Sequence, residues 1–289
     1  MSYLYNALAW VLGLIYSWVE NYGVAIILFT IVIKLILLPL SIKQHKSMAK
    51  MQRVRPLLEY IQKKYKDDQQ RLQQETMKLY KEEGVSPAGG CLPLLLQFPI
   101  LIGLYQVINR PLTYILGLGE NTVGAMMKAA KVTNEIGVYQ AINEGTVTFD
   151  AKYSDAVAQI KGMNFELFGI DFSLQPNFMG EITVLWLIPV LATVTAYLSS
   201  YITRKLQAMP QTEQQQSSMK TMNMIMPLMS AVFCFMLPAG VGLYWIMSNV
   251  VQIGQTVLLH KIFNKKNEGE EIDAEEYFKK DRNHRKKYQ

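Results

Sequence analysis

Residues 22–41 read YGVAIILFTIVIKLILLPLS, twenty positions in which Lys34 is the one charge. A helix rising about 1.5 Å per residue covers roughly 30 Å in that length, the thickness of the hydrocarbon core of a bilayer. The stretch therefore reads as a membrane span. Working outward, 91–109, 182–201 and 241–259 hold no charged residue at all. A fifth apolar run, 222–237, is shorter, carries Pro227, and would cross only by tilting or where the bilayer is thin. Half of the 289 residues are apolar and 18% are charged, which is too apolar for an ordinary soluble domain of this size. The expected fold class is all-α: a polytopic membrane protein with five transmembrane helices and a helical hairpin on its cytosolic side.

Orientation follows the lysines and arginines beside the spans. The segment 42–90 has eleven basic against six acidic residues, 202–221 has three against one, and the tail from 260 has nine against seven. The segment 111–180 reverses the balance with four against seven. Five spans with the N-terminus outside and the C-terminus in the cytosol place every basic segment inside. Two cysteines, Cys91 and Cys234, then fall at different depths, which argues against a disulfide or a metal site.

Residues 1–21 show no basic n-region or small-residue cleavage site, so they are expected to be retained. Leu4, Leu8, Val11, Leu12, Ile15 and Val19 recur at helical spacing with Trp10, Tyr16 and Trp18 among them, the pattern of a helix lying in the outer interface. A first transmembrane helix is the alternative, but it would spoil the charge topology. After Pro39 the cytosolic segment reads as two amphipathic helices, 42–64 and 69–83. Asp67 and Asp68 stand at the turn between them, where an aspartate can cap the second helix. That helix is amphipathic through Leu72, Met77, Leu79 and Tyr80. The outer segment 111–180 has helical patterns near 121–131 and 135–144 and no assignable chemistry. The tail 261–289 is of mixed charge, and its cluster Arg282–Lys287 reads as basic and disordered.

Lys34 is the chemically odd residue, seven positions before Ser41 and so about 10 Å below the cytosolic end of its helix. Two readings stay open. The lysine snorkels to the headgroups along its four-carbon stem, or it faces a water-filled cavity within the bundle. Thr30 lies one turn away on the same face. Further polar residues occur in the spans: Gln97, Thr193, Thr195, Ser248, Asn249, Gln252 and Gln255. Each alone serves as well for an interhelical hydrogen bond; together with Lys34 they suggest a half-wet groove. No acid lies within a span, Glu181 standing at an edge, and the three histidines are cytosolic. That argues against proton relays, metalloprotease chemistry and paired-carboxylate catalysis.

Methionines 219, 222, 224, 226, 229 and 236 gather around the fourth span. They suit a surface that accepts varied apolar partners, and equally a lipid-facing filler. Pro93, Pro99, Pro189, Pro227 and Gly242 are expected to bend the spans.

Three stretches carry a resemblance to a known family: Thr30–Leu40 with its exit Ser47–Met51, Leu79–Pro99, and Met226–Asn249. The sequence resembles the bacterial branch of the YidC/Oxa/Alb family of membrane protein insertases over most of 22–260; the outer segment and the tail are not covered. The resemblance implies a five-helix core with a hydrophilic groove, open to cytosol and lipid and closed towards the outside. It implies a cation in that groove, usually arginine, on the position of Lys34, and here the chain departs from the family with a lysine that lacks the rigid guanidinium fork. Thr30 and Tyr244 match positions in or beside the groove, and 42–83 matches a mobile cytosolic element. The expected substrate groove is thus Lys34, Thr30, Gln97, Tyr244, Ser248, Asn249 and Gln252. No catalytic residue, metal or cofactor is expected. The expected partners are nascent membrane proteins and the lipid bilayer, with the Sec translocon, and the ribosome through the basic tail and hairpin, as candidates. The expected location is the bacterial cell membrane. A small-solute transporter or channel is the rival reading, although no internal repeat supports it. An intramembrane enzyme lacks a base beside any buried serine or cysteine.

Overall fold

The computed structural model describes residues 2–86, 92–206, 225 and 227–264, and positions 273, 274, 277 and 278 of the tail; for 2, 92–98 and 264 it describes the backbone alone. The helices are α1 (Ser2–Val19), α2 (Tyr22–Ile36), α3 (Leu38–Arg53), α4 (Arg55–Lys64), α5 (Gln69–Glu82), α6 (Leu92–Asn109), α7 (Pro111–Tyr114), α8 (Glu120–Ala130), α9 (Glu135–Asn143) and α10 (Ser154–Lys161). A two-stranded ribbon follows, β1 (Glu166–Leu167) and β2 (Ile170–Asp171), and then α11 (Leu187–Leu206), α12 (Pro227–Met236) and α13 (Ala239–Asn264). The chain is mostly helical, and the ribbon is the one departure from an all-α fold among the described residues. Two compact units result: Met1–Ile36, Leu96–Tyr197 and Met226–Val251 form the first, and Leu37–Leu95, Leu198–Ile225 and Gln252–Gln289 the second.

In the first unit α2 buries Tyr22, Ile26, Phe29, Thr30 and Ile33, a stripe at three- and four-residue spacing. Leu28, Leu35 and Ile36 stay exposed, as lipid-facing residues would. α1 buries Leu8, Leu12 and Tyr16, turns Trp10 and Trp18 outward, and packs where Gly103 of α6 leaves room. The outer segment is fastened to the start of α2. The Tyr22 N–H donates to the Asn164 carbonyl at 2.8 Å, its ring lies 4.5 Å from that of Phe165, and its hydroxyl donates to the Ile108 carbonyl at 2.7 Å. The expected outer helices appear as α8 and α9.

The prolines do less bending than their positions suggest. α2 breaks at Leu37, two residues before Pro39, and Pro39 stands in the first turn of α3, where its missing N–H has no helical acceptor to lose. Pro93 and Pro189 likewise sit near the starts of α6 and α11, Pro99 is interior to α6, and Ile225 is already helical ahead of Pro227. Gly242 does not interrupt α13 either. It is a contact glycine, because a Cβ there would overlap Cγ2 of Ile188 in α11.

One described helical stretch, Val184–Leu206, is long and apolar enough by itself to cross a membrane, and α2 with α3 passes when taken as one broken span. α13 has the length, 26 residues, but Asn249, Gln252, Gln255 and Thr256 dilute its apolarity. The described part of α12 is shorter and exposes Met229 and Met236. Methionines 219, 222, 224 and 226, and Cys91, lie outside the described residues, whereas Cys234 is a buried free thiol.

In the second unit α3 and α4 pack against α5. Their core is Met51, Val54, Leu57, Leu58 and Ile61 against Leu72 and Leu79 of α5. Leu72 and Leu79 are seven residues apart and return to one face, while Met77 falls out of that register and is exposed, correcting the expectation that it faces the partner helix. Asp68 caps α5, accepting from the Arg71 N–H at 3.0 Å. The tail contributes an unforeseen piece: the Phe278 ring stacks 4.9 Å from that of Tyr60, and the Tyr277 hydroxyl donates to Glu83 at 2.7 Å. The basic cluster Arg282–Lys287 lies outside the described residues.

Candidate functional site

Lys34 occupies the last turn of α2, half-buried, and is the only charged side chain of that helix. Thr30, one turn earlier, is 1% exposed and donates its hydroxyl to the Ile26 carbonyl at 2.7 Å. This back-bond satisfies the hydroxyl within the helix and leaves only acceptor capacity for a neighbour. Thr193 and Thr195 do the same in α11, donating to the carbonyls of Pro189 and Leu191, both at 2.7 Å. Hydroxyls in apolar helices thus largely satisfy themselves within their own helix.

Of the predicted residues in the first unit, Tyr244 is buried, and Ser248 and Asn249 are half-buried on α13. Asn249 reaches across to α11, its Nδ2 donating to Oγ1 of Thr195 at 3.3 Å. Two apolar helices therefore meet through an amide and a hydroxyl, the kind of glue that stabilises helix pairs where water is absent. Gln252, in the second unit, donates to Thr256 of its own helix at 3.3 Å. Gln97 lies on α6, but its side chain is outside the described residues.

The sequence reading missed an ionic cluster at the C-terminal end of α6. Arg110 Nε is 3.2 Å from Oε1 of Glu135, and Nη2 is 3.1 Å from Glu120. Thr113 donates its N–H to Glu135 at 2.9 Å and its hydroxyl at 2.6 Å. Burial alone would lower the pKa of Arg110; the hydrogen bonds to Glu135 and Glu120 outweigh it and raise the value. In the second unit His45 is buried, and desolvation together with the nearby His260 lowers its pKa below the ordinary value of 6.5.

Apolar helices that carry a lysine, join through an amide and a hydroxyl, and bear a charged cap at one end fit an integral membrane protein. The sequence pattern of the family described as 60Kd inner membrane protein matches residues 14–267. The chain is 34% identical over 274 residues to the membrane protein insertase YidC of Clostridium tetani, covering 92% of this chain and 97% of that one. It is 35% identical over 244 residues to the membrane protein insertase YidC of Caldanaerobacter subterraneus subsp. tengcongensis, with 84% and 87% covered. It is 34% identical over 281 residues to the membrane protein insertase YidC 2 of Listeria innocua, with 94% and 76% covered. The chain belongs to the 60Kd inner membrane protein family, the bacterial YidC branch of the YidC/Oxa/Alb insertases.

Proposed function

We propose that the chain is a membrane protein insertase of the bacterial cell membrane, with five spans, the N-terminus outside and the C-terminus in the cytosol. It works through a hydrophilic groove open to the cytosol. The observation that carries this reading is Lys34, a half-buried cation alone among the charges of an apolar helix, one turn from a fully buried Thr30. A cation held in hydrocarbon costs about 2.5 to 3.5 kcal/mol on insertion scales, and a wet groove removes most of that cost. Tyr244, Ser248, Asn249 and Gln252 of α13, with Gln97 of α6, supply the remaining polar surface.

The mechanism is non-covalent. The groove lowers the barrier for a short polar tail by offering water, hydrogen bonds and one positive charge part-way across. The apolar helix of the substrate then partitions into lipid, gaining about 0.3 to 0.6 kcal/mol for each leucine-like residue. Nascent membrane proteins are the substrates. The hairpin and the basic tail are the surfaces offered to the ribosome, and the Sec translocon is the candidate partner in the membrane. Depleting the protein in its host and surveying the membrane proteome tests the reading: newly made membrane proteins should lose insertion. Normal insertion accompanied by a lost solute flux would refute it in favour of a transporter.

A further inference from the structure

Among the non-glycine residues with positive φ, Glu20, Lys131 and Phe168, the last is the bulky aromatic one. The ribbon is closed by a two-residue turn, Phe168–Gly169, with φ of +55° and +75°. A turn with both central residues left-handed favours asparagine, aspartate or glycine at its first position. A phenylalanine there is an outlier, and its ring is 89% exposed. The sequence accepts a disfavoured backbone and displays a bare aromatic ring, and neither choice serves the ribbon. Such strain persists where the surroundings enforce it and often marks a working position.

The position of the turn says what the ring meets. Asn21 donates its Nδ2 to the Glu166 carbonyl at 2.8 Å, and the Tyr22 N–H donates to the Asn164 carbonyl at 2.8 Å. Leu167 packs so closely on the first turn of α2 that a Cβ at Gly23 would stand 2.8 Å from its Cδ2. The strand therefore lies against the outer end of the first span, and the next residue is Phe168. Trp18, 83% exposed, stands in the last turn of α1, which only Glu20 and Asn21 separate from the start of α2. Aromatic rings concentrate at this depth, where an apolar body meets wet headgroups.

We propose that the ribbon is a membrane anchor, with Phe168 seated in the outer leaflet beside Trp18 and fastening the outer segment to the bilayer. The assignment rests on α2 being a membrane span with its N-terminal end outside.

The full chain, with Cys91→Ala and Cys234→Ala, is reconstituted in phosphatidylglycerol and phosphatidylethanolamine liposomes with single cysteines introduced by Phe168→Cys or Val194→Cys. Each is labelled with an environment-sensitive fluorophore. The label at 168 should be quenched several-fold more by lipids spin-labelled just below the headgroup than by a water-soluble quencher. Stronger aqueous quenching overturns the anchor, and so does protection from both quenchers, which means that protein covers the site. The label at Val194, in the middle of α11, should respond to deeply spin-labelled lipid; if it does not, the spanning reading itself fails. A response at 194 with an aqueous 168 sinks the anchor alone. Phe168→Asn supplies a label-free measurement, since asparagine suits the turn. An anchor predicts several-fold faster amide exchange over 164–171 in liposomes, whereas unchanged or slower exchange refutes it.

Discussion

Glu135 Oε1, in a side chain all but closed to solvent, stands 3.2 Å from Nε of Arg110, the residue that ends the second apolar stretch. The same carboxylate takes two hydrogen bonds from Thr113, so one side chain ties α6, α7 and α9 together. Removing it strands the Thr113 N–H and leaves the guanidinium to Glu120 alone. Breaking a buried pair costs about 3 to 5 kcal/mol, and Arg110, which keeps a third of its side chain in solvent, brings the expectation to the lower end. Glu135→Ala should loosen 111–171, read as faster proteolysis and amide exchange there with the spans unaffected. Unchanged exchange would make the cluster ornamental.

Lys34 separates the groove from a snorkelling lysine. Lys34→Ala should lower insertion of substrates with acidic translocated tails several-fold, in keeping with an ion contact of about 1 kcal/mol in partly wet surroundings. Lys34→Arg should preserve it. Protease accessibility of the tail in intact cells is the measurement, and full insertion by the alanine variant would show that the charge only reaches for headgroups.

Burial within the spans decides which positions report on water. Ser248 and Gln252 stand one turn apart on α13 and are half-exposed, whereas Thr30 is closed off. Ser248→Cys and Gln252→Cys should react with a membrane-impermeant maleimide from the cytosolic side at least tenfold faster than from outside. Thr30→Cys should be slow from both. Equal rates from the two sides would favour a channel.

Much of this was legible in the sequence because charge and periodicity are local signals. The cation at 34, the outer helices and the Asp68 cap could each be read from a window of a few residues. What escaped depends on chain-distant meetings. Arg110 finds Glu135 twenty-five residues away, and Tyr60 finds Phe278 from the far end of the chain. Gly242 looked like a hinge because sequence cannot show Ile188 filling its empty Cβ position. The threonines looked like groove donors because their back-bonds appear only once the helix exists.

His45 provides a pH test in the second unit. Desolvation, aided by His260, lowers its folded pKa, so the unfolded chain binds more protons over the window between the folded value and 6.5. The stability contributed by the neutral imidazole is present above 6.5 and is lost as pH falls through the folded value. Amide protection in α3, the exchange rate taken relative to its intrinsic value at each pH, should therefore fall on acidification, and His45→Gln should flatten that dependence. A wild-type profile flat across the window would contradict the assignment.

The packing of the tail and its proposed ribosome contact can be pulled apart by separate variants. Its aromatic pair rests on the hairpin, Phe278 against Tyr60 and Tyr277 on Glu83, while the basic residues Arg282–Lys287 follow in sequence and suit the polyanionic surface of a ribosome. Deleting 265–289 should weaken ribosome co-sedimentation at low salt, and the difference from wild type should shrink as salt screens phosphate contacts. Phe278→Ala keeps every basic residue and removes a partly buried stacking partner worth about 0.5 to 1.5 kcal/mol beyond its buried area. It should speed exchange in α4 and α5 and leave co-sedimentation nearly intact. If Phe278→Ala abolishes co-sedimentation as thoroughly as the deletion, the ribosome reads the folded hairpin and the charge of the tail is incidental.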